Sequence, residues 1–167
     1  MPLPTSFDRN DLLRCARGDL FGPGNLRLPL PPMLMLDRIT TLDASGGQHE
    51  RGLAIAELDI CPDRWFFEGH FHEDPVMPGC LGLDALWQLL GFFLAWRGHP
   101  GKGRAFGVGE VKFKEPILPS ASQVTFQLDV KRILTRGLVL GIADGEVAVD
   151  GHLAYTTQNL RVGLVVG

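Results

Sequence analysis

GCLGLDALWQLLGFFLAW, residues 79–96, decides how this chain is read. Leu81, Leu83, Ala85, Leu86, Trp87, Leu89, Leu90, Phe92, Phe93 and Leu94 would cover nearly every face of a helix. A helix apolar all round is one surrounded by protein or by lipid. The stretch is slightly short for a membrane span, and it holds Asp84, an expensive group to place in lipid. It therefore predicts a buried helix from about Gly79 to about Trp96, ended by Gly98, Pro100 and Gly101.

A buried helix needs a sheet to lie on, and the sequence on both sides supplies strands. After the helix, GRAFGVGEVKF (103–113) is followed by Pro116 and Pro119. SQVTFQLDV (122–130) alternates cleanly, with Val124, Phe126, Leu128 and Val130 on one face. GLVLGIADGEVAV (137–149) is joined to HLAYTTQNLRVGL (152–164) by Asp150-Gly151, a two-residue hairpin signal. Asp144-Gly145 offers a competing turn, but a bulge within one longer strand fits the spacing better. Before the helix, LMLDRITTL (34–42) and HERGLAIAELDI (49–60) predict a first hairpin around Ser45-Gly46-Gly47. Near the N-terminus, Ser6 or Asp8 can cap a short helix with Leu12, Leu13 and Ala16 inward and Gly18 as its stop. Residues 22–32 are too rich in proline and glycine for a regular element. The whole, residues 1–167, reads as one α+β domain: a long helix against five or six mainly antiparallel strands.

Composition narrows the function classes. A net charge of −3 gives no basic surface for nucleic acid. The first residues lack a basic start followed by an apolar run, so no secretory signal is expected. Cys15, Cys61 and Cys80 are too few and too scattered for a disulfide framework, and a reducing cytoplasm is the simpler expectation.

The chemistry gathers in FEGHFHEDPVMPGCLGLDALWQ (67–88). His70, His72 and Asp74 look like the start of a metal site, but Pro75 stands where a further ligand would be needed, and His49, His99 and His152 have no supporting carboxylate spacing. No metal and no cofactor is expected. An acid/base reading asks for less. His70 precedes the helix start; Asp84 lies inside the helix, with Gln88 four residues on along the same face. A buried carboxylate needs a partner or a task, and burial favours its neutral, proton-donating form. Pro78 has no N–H, Gly79 allows close approach to the backbone, and the first N–H groups of a helix lack internal partners at the positive end of its dipole. Aimed at a carbonyl oxygen, they would stabilise an enolate. A base, an acid and an oxyanion site suit proton abstraction beside a carbonyl. The plainer alternatives are an exposed His, ordinary Pro-Gly punctuation and an Asp that ties down a loop.

The block GHFHEDPVMPGCLGLDALWQLLGFFL (69–94) closely resembles the bacterial 3-hydroxydecanoyl-acyl-carrier-protein dehydratase/isomerase family. LPLPPMLMLDRI, AELDICPDRWFF, GKGRAFGVGEVKF, IADGEVAVDG and LRVGL extend the likeness in the same order from about Asp11 to Leu164. The resemblance implies a hot-dog fold, a homodimer with active sites at the interface, and acyl carrier protein as partner. It implies removal of water from 3-hydroxyacyl chains of about ten carbons, then conversion of the trans-2-enoyl product to its cis-3 isomer. By the same likeness His70 is the base that moves protons at C2 and C4. Asp84, from the other subunit, assists departure of the hydroxyl. Gly79 matches the backbone donor to the thioester carbonyl, with Cys80 beside it offering its own N–H, packing, or a thiol of the kind that helix starts make acidic. Gln88 is placed to orient Asp84. An Asp where dehydratases without isomerase activity carry Glu favours the bifunctional branch.

Lys131, Arg132, Arg136 and Arg161 are either ordinary solvated strand ends or a patch for the acidic carrier protein. Two positions depart from the family pattern: Gly69 before the His, and Glu115-Pro116 where Gly-Gln is more usual. Pro116 removes an N–H and should change local pairing. Competing readings are a dehydratase without isomerase activity, a hot-dog thioesterase, a non-catalytic acyl-binding module and a metal-dependent hydrolase.

Overall fold

The computed structural model describes residues 2–167. Helix α1 (Arg9–Arg17) is followed by strands β1 (Arg38–Asp43) and β2 (Leu53–Asp59), a short helix α2 (Trp65–Glu68) and the long helix α3 (Gly79–Trp96). Strands β3 (Lys102–Gly107), β4 (Glu110–Phe113), β5 (Gln123–Leu134), β6 (Val139–Val149) and β7 (His152–Val165) complete the chain. The strands form one seven-stranded sheet in the order β1-β2-β5-β6-β7-β3, with β4 also pairing to β7, and every pair is antiparallel.

The sheet curls around α3. Val124, Phe126, Leu128 and Val130 point inward at it, and Phe92 and Phe93 are fully buried. The N-terminal segment closes the other side. Phe7 and Phe21 meet Phe92 edge-on with ring centroids 4.9 Å and 5.2 Å away. Leu26 packs into the notches left by Gly91 and Gly103. α1 is capped by Asp8, whose side chain accepts from the Asp11 N–H at 2.9 Å while Asp11 accepts from the Asp8 N–H. α3 is long and apolar enough to cross a membrane, but two thirds of it (67%) is buried inside the protein.

The Asp150-Gly151 hairpin is present, with both residues at positive φ (47° and 84°), as such a tight turn requires. The β6–β7 register shifts between Ala143 and Gly145, so Asp144-Gly145 lies at a bulge inside one long strand.

Two expectations are corrected, and the altered pairing expected near Pro116 takes a definite form. The strand count is seven because 103–113 is two strands, broken at Gly107-Val108-Gly109. At the break the Trp87 indole N–H donates to the carbonyl of Gly107, the last residue of β3, at 3.1 Å. Residues 34–36 are buried but not part of β1, since the Gln88 side chain, not a neighbouring strand, accepts the Met35 N–H. Near Pro116, pairing with β7 stops at Phe113, after which the N–H groups of Lys114 and Glu115 both turn onto the Ala154 carbonyl at 2.8 Å and 2.9 Å.

Candidate active site

His70 sits in the irregular segment before α3, held by its own backbone and ring. Its carbonyl accepts the Val76 N–H at 2.8 Å, and its Nδ1 lies 2.7 Å from the Val76 carbonyl oxygen. A carbonyl can only accept, so Nδ1 carries a proton, and in the neutral ring the lone pair is on Nε2. The ring also packs on Phe71 at 3.8 Å between centroids.

His70 lines a cavity of about 660 Å³. Met77, Leu83, Val111, Phe113, Ile117 and Tyr155 supply apolar walls, and Gly79 and Cys80 present the start of α3. Pro78 has no N–H, and no backbone carbonyl among the described residues accepts from Gly79 or Cys80. Two donors at the positive end of an eighteen-residue helix thus stand beside the His70 cavity. Lys114, Glu115 and Pro116 line the same cavity, so the Glu115-Pro116 departure falls at the site itself. Gly69 is exposed and has open space where a Cβ would stand.

Asp84 is elsewhere. It lines a second, smaller cavity of about 170 Å³ with Arg27, Trp87, Gln88, Arg104 and Ala105, and His70 does not reach that cavity. The expectation of a buried carboxylate is corrected: Asp84 is half-buried, and Gln88 is the buried member of the pair, at 8% exposure. Gln88 Nε2 donates to Asp84 Oδ2 at 2.7 Å and to the Met33 carbonyl at 2.9 Å, while its Oε1 accepts the Met35 N–H at 3.0 Å. Both amide N–H donors are used and the oxygen accepts one N–H, so the three contacts fix the orientation of the amide. One α3 face therefore serves each cavity: residues 79, 80 and 83 face the first, residues 84, 87, 88 and 91 the second.

The potential metal ligands do not converge. His72 is almost fully exposed, its nearest acidic neighbour being Glu73 at 3.8 Å. Among the described residues no three His, Cys, Asp or Glu side chains gather. The three cysteines are free; Cys15 is buried, which pushes its thiol up to about 11, and Cys80 is exposed.

The four basic residues divide. Lys131 donates to Asn159 Oδ1 at 3.0 Å and lies 3.6 Å from Asp144, so it is engaged within the sheet. Arg132, Arg136 and Arg161 are exposed, without an ion pair among the described residues. Arg132 stands opposite Ile142, which stands opposite Arg161, placing both arginines on one face of the sheet.

Sequence reading missed Tyr155 and Phe113. Neither lies near His70 in the chain; they reach the cavity because β4 and β7 pair them directly. Burial pushes the Tyr155 phenol well above its ordinary pKa, with proximity to Cys80 a smaller cause, so it is a neutral hydroxyl.

A family model described as the FabA-like domain matches residues 28–158, most of the chain and every site residue named above except Arg27 and Arg161. The chain belongs to the FabA-like domain family. Solved structures agree with this FabA-like chain in fold. One chain of the dehydratase heterocomplex ApeI:P from Xenorhabdus doucetiae is 15% identical with a TM-score of 0.62, covering 81% of this chain and 86% of that one. An uncharacterised protein of Pyrococcus horikoshii is 10% identical with a TM-score of 0.57, covering 81% and 87%. The PaaI protein of the E. coli phenylacetic acid degradation operon is 12% identical with a TM-score of 0.52, covering 76% and 82%. At such identities the likeness is one of fold: a long helix wrapped by an antiparallel sheet, the hot-dog architecture.

Proposed function

We propose that this chain removes water from 3-hydroxyacyl thioesters of about ten carbons carried on acyl carrier protein, and converts the trans-2-enoyl product to its cis-3 isomer. The observation that carries the reading is His70. Its Nδ1–H is committed to Val76, so a lone pair on Nε2 is left beside an apolar cavity whose wall includes the open start of α3.

The chemistry follows from these parts. The thioester carbonyl takes the Gly79 and Cys80 N–H groups, and His70 Nε2 removes a C2 proton. The C2–H electron pair passes into an enolate that the two donors stabilise. The enolate collapses to the C2–C3 double bond as the C3–O bond breaks, and Asp84 of the partner subunit protonates the departing oxygen to give water. In the second reaction His70 removes a C4 proton from the trans-2-enoyl thioester, and the dienolate is protonated at C2, leaving the double bond between C3 and C4.

Two observations support a site shared between subunits. His70 and Asp84 line separate cavities of one chain. β3 ends the sheet with its outer edge unpaired, and Phe106 on that strand is exposed. A twofold pairing would satisfy both. Arg132 and Arg161 on one face, with Arg136 nearby, offer cations to an acidic carrier protein in a chain that is otherwise acidic.

The test is incubation with a 3-hydroxydecanoyl thioester and resolution of the products. Trans-2 and cis-3 enoyl thioesters together are the expected result. Trans-2 product alone leaves a dehydratase without isomerase activity. Free thiol released with a free acid identifies a thioesterase and overturns the proposal.

A further inference from the structure

The first turn of α3 carries glycines at 79 and 82, three residues apart and hence neighbours on one helix face. Each is the seat of an aromatic ring. A Cβ on Gly82 would stand 1.2 Å from the Tyr155 hydroxyl oxygen, and a Cβ on Gly79 would stand 2.5 Å from the Phe113 ring. No side chain of any size fits at either place with the rings where they are. The two rings also hold each other, with centroids 5.0 Å apart, and their residues are directly paired across β4 and β7. Tyr155 is only 2% exposed, and its hydroxyl has one protein partner, the Gly79 carbonyl oxygen at 3.5 Å. That bond is long, so the hydroxyl is placed mainly by its own fit over Gly82, where it fills the space a Cβ would take.

We infer that Tyr155 is a positioning residue: seated on Gly82 and aided by Phe113 on Gly79, it fixes the first turn of α3 so that the Gly79 and Cys80 N–H groups face an acyl carbonyl. The inference rests on the proposed role of those two N–H groups. It explains why glycine is needed twice in PGCLG: once where the ligand approaches and once where the tyrosine hydroxyl must sit against the helix. It also gives the buried hydroxyl a task, holding a peptide unit whose neighbouring N–H groups must stay open.

A binding comparison tests this without turnover. The probes are the decanoyl thioester of N-acetylcysteamine, which has a carbonyl but no hydroxyl to eliminate, and the matching decyl thioether, which has no carbonyl. Tyr155→Phe removes the hydroxyl that fills the Gly82 notch and makes one long hydrogen bond; it should weaken thioester binding by roughly three- to fivefold, the lower half of a hydrogen bond's usual worth, while thioether binding changes less than about twofold. Phe113→Leu removes part of an apolar wall as well as the second ring's cover, so it should weaken binding of both probes, the thioester more than the thioether. Equal loss for both probes would mean a general packing role, and no loss for either would mean the hydroxyl is idle; both results overturn the inference. Dehydration of the 3-hydroxydecanoyl thioester by the unaltered protein is measured in parallel. Absence of that reaction would sink the proposed function, while the carbonyl-selective loss would still establish the positioning role.

Discussion

His70 stands beside a cavity of about 660 Å³ with mainly apolar walls, where the open backbone N–H groups of α3 lie at one side and Lys114 and Glu115 at the lining. Asp84 opens into a cavity of about 170 Å³ bordered by Arg27, Trp87, Gln88 and Arg104, where polarity is supplied by side chains. The contrast follows from what each group must do. A base that works on an acyl chain needs a free lone pair next to apolar walls, and a single backbone carbonyl suffices to set its tautomer. A carboxylate on an apolar helix needs a partner that keeps it in place, and Gln88 provides one by saturating its own amide against Met33 and Met35. One helix serves both because residues 79, 80 and 83 and residues 84, 87, 88 and 91 fall on different faces.

The strongest way to break this division is to remove one group from each cavity. His70→Ala and Asp84→Asn should each lower kcat by roughly 10²–10⁴-fold, the range for a general acid or base. If the working site takes one residue from each subunit, mixing the two inactive variants with verified subunit exchange should restore about a quarter of the unaltered activity, since half the dimers are mixed and each has one intact site. Failure to recover any activity would return both groups to a single chain.

The backbone side of the comparison is sharpened by Gly82→Ala. Its methyl group would overlap the Tyr155 hydroxyl, so the protein should lose about 1–3 kcal/mol of stability, as overpacked sites do. Denaturant unfolding measures this directly, and an unchanged midpoint would show that Tyr155 moves aside at no cost. Gln88→Leu probes the side-chain cavity. It leaves the Met35 N–H and the Met33 carbonyl without their partner, at about 1–3 kcal/mol. It should also lower kcat with KM little changed, because Asp84 is freed to turn; an unchanged kcat would mean that Asp84 needs no orientation.

The smallest effect belongs to the surface. Arg132→Glu with Arg136→Glu should raise KM for a carrier-bound substrate by roughly tenfold at low salt, less as salt rises, and leave KM for a small thioester alone. An unchanged carrier-bound KM would remove these arginines from docking. Lys131 is the internal control: already tied to Asn159 and Asp144, it should matter more for stability than for carrier binding.

Much of the fold was legible because its signals are local. The extent of α3 follows from an apolar run between Pro78 and Gly98, and the β6–β7 turn from Asp-Gly, whose residues accept positive φ. The split of β3 from β4 was not legible: at the break the partner of the Gly107 carbonyl is an indole from α3. The fate of residues 34–36 was hidden for the same reason: β-like composition yields to a distant glutamine that accepts the Met35 N–H. At the candidate site, the i, i+4 spacing of Asp84 and Gln88 could be read from the sequence, but their two additional anchors could not.

The sequence by itself determined the elements, the helix start that leaves N–H groups open, and the residues able to do acid/base work. These depend on side-chain chemistry and on spacing along a few turns of chain. Only the tertiary structure decided that His70 and Asp84 face different cavities, that Tyr155 and Phe113 lie on the glycines of α3, and that Lys131 is engaged while Arg132 and Arg161 share a face. The first depends on how the faces of α3 are covered; the others depend on which strand lies beside which and in what register, and a one-residue shift would turn Tyr155, Phe113, Lys131, Arg132 and Arg161 to the opposite side of the sheet.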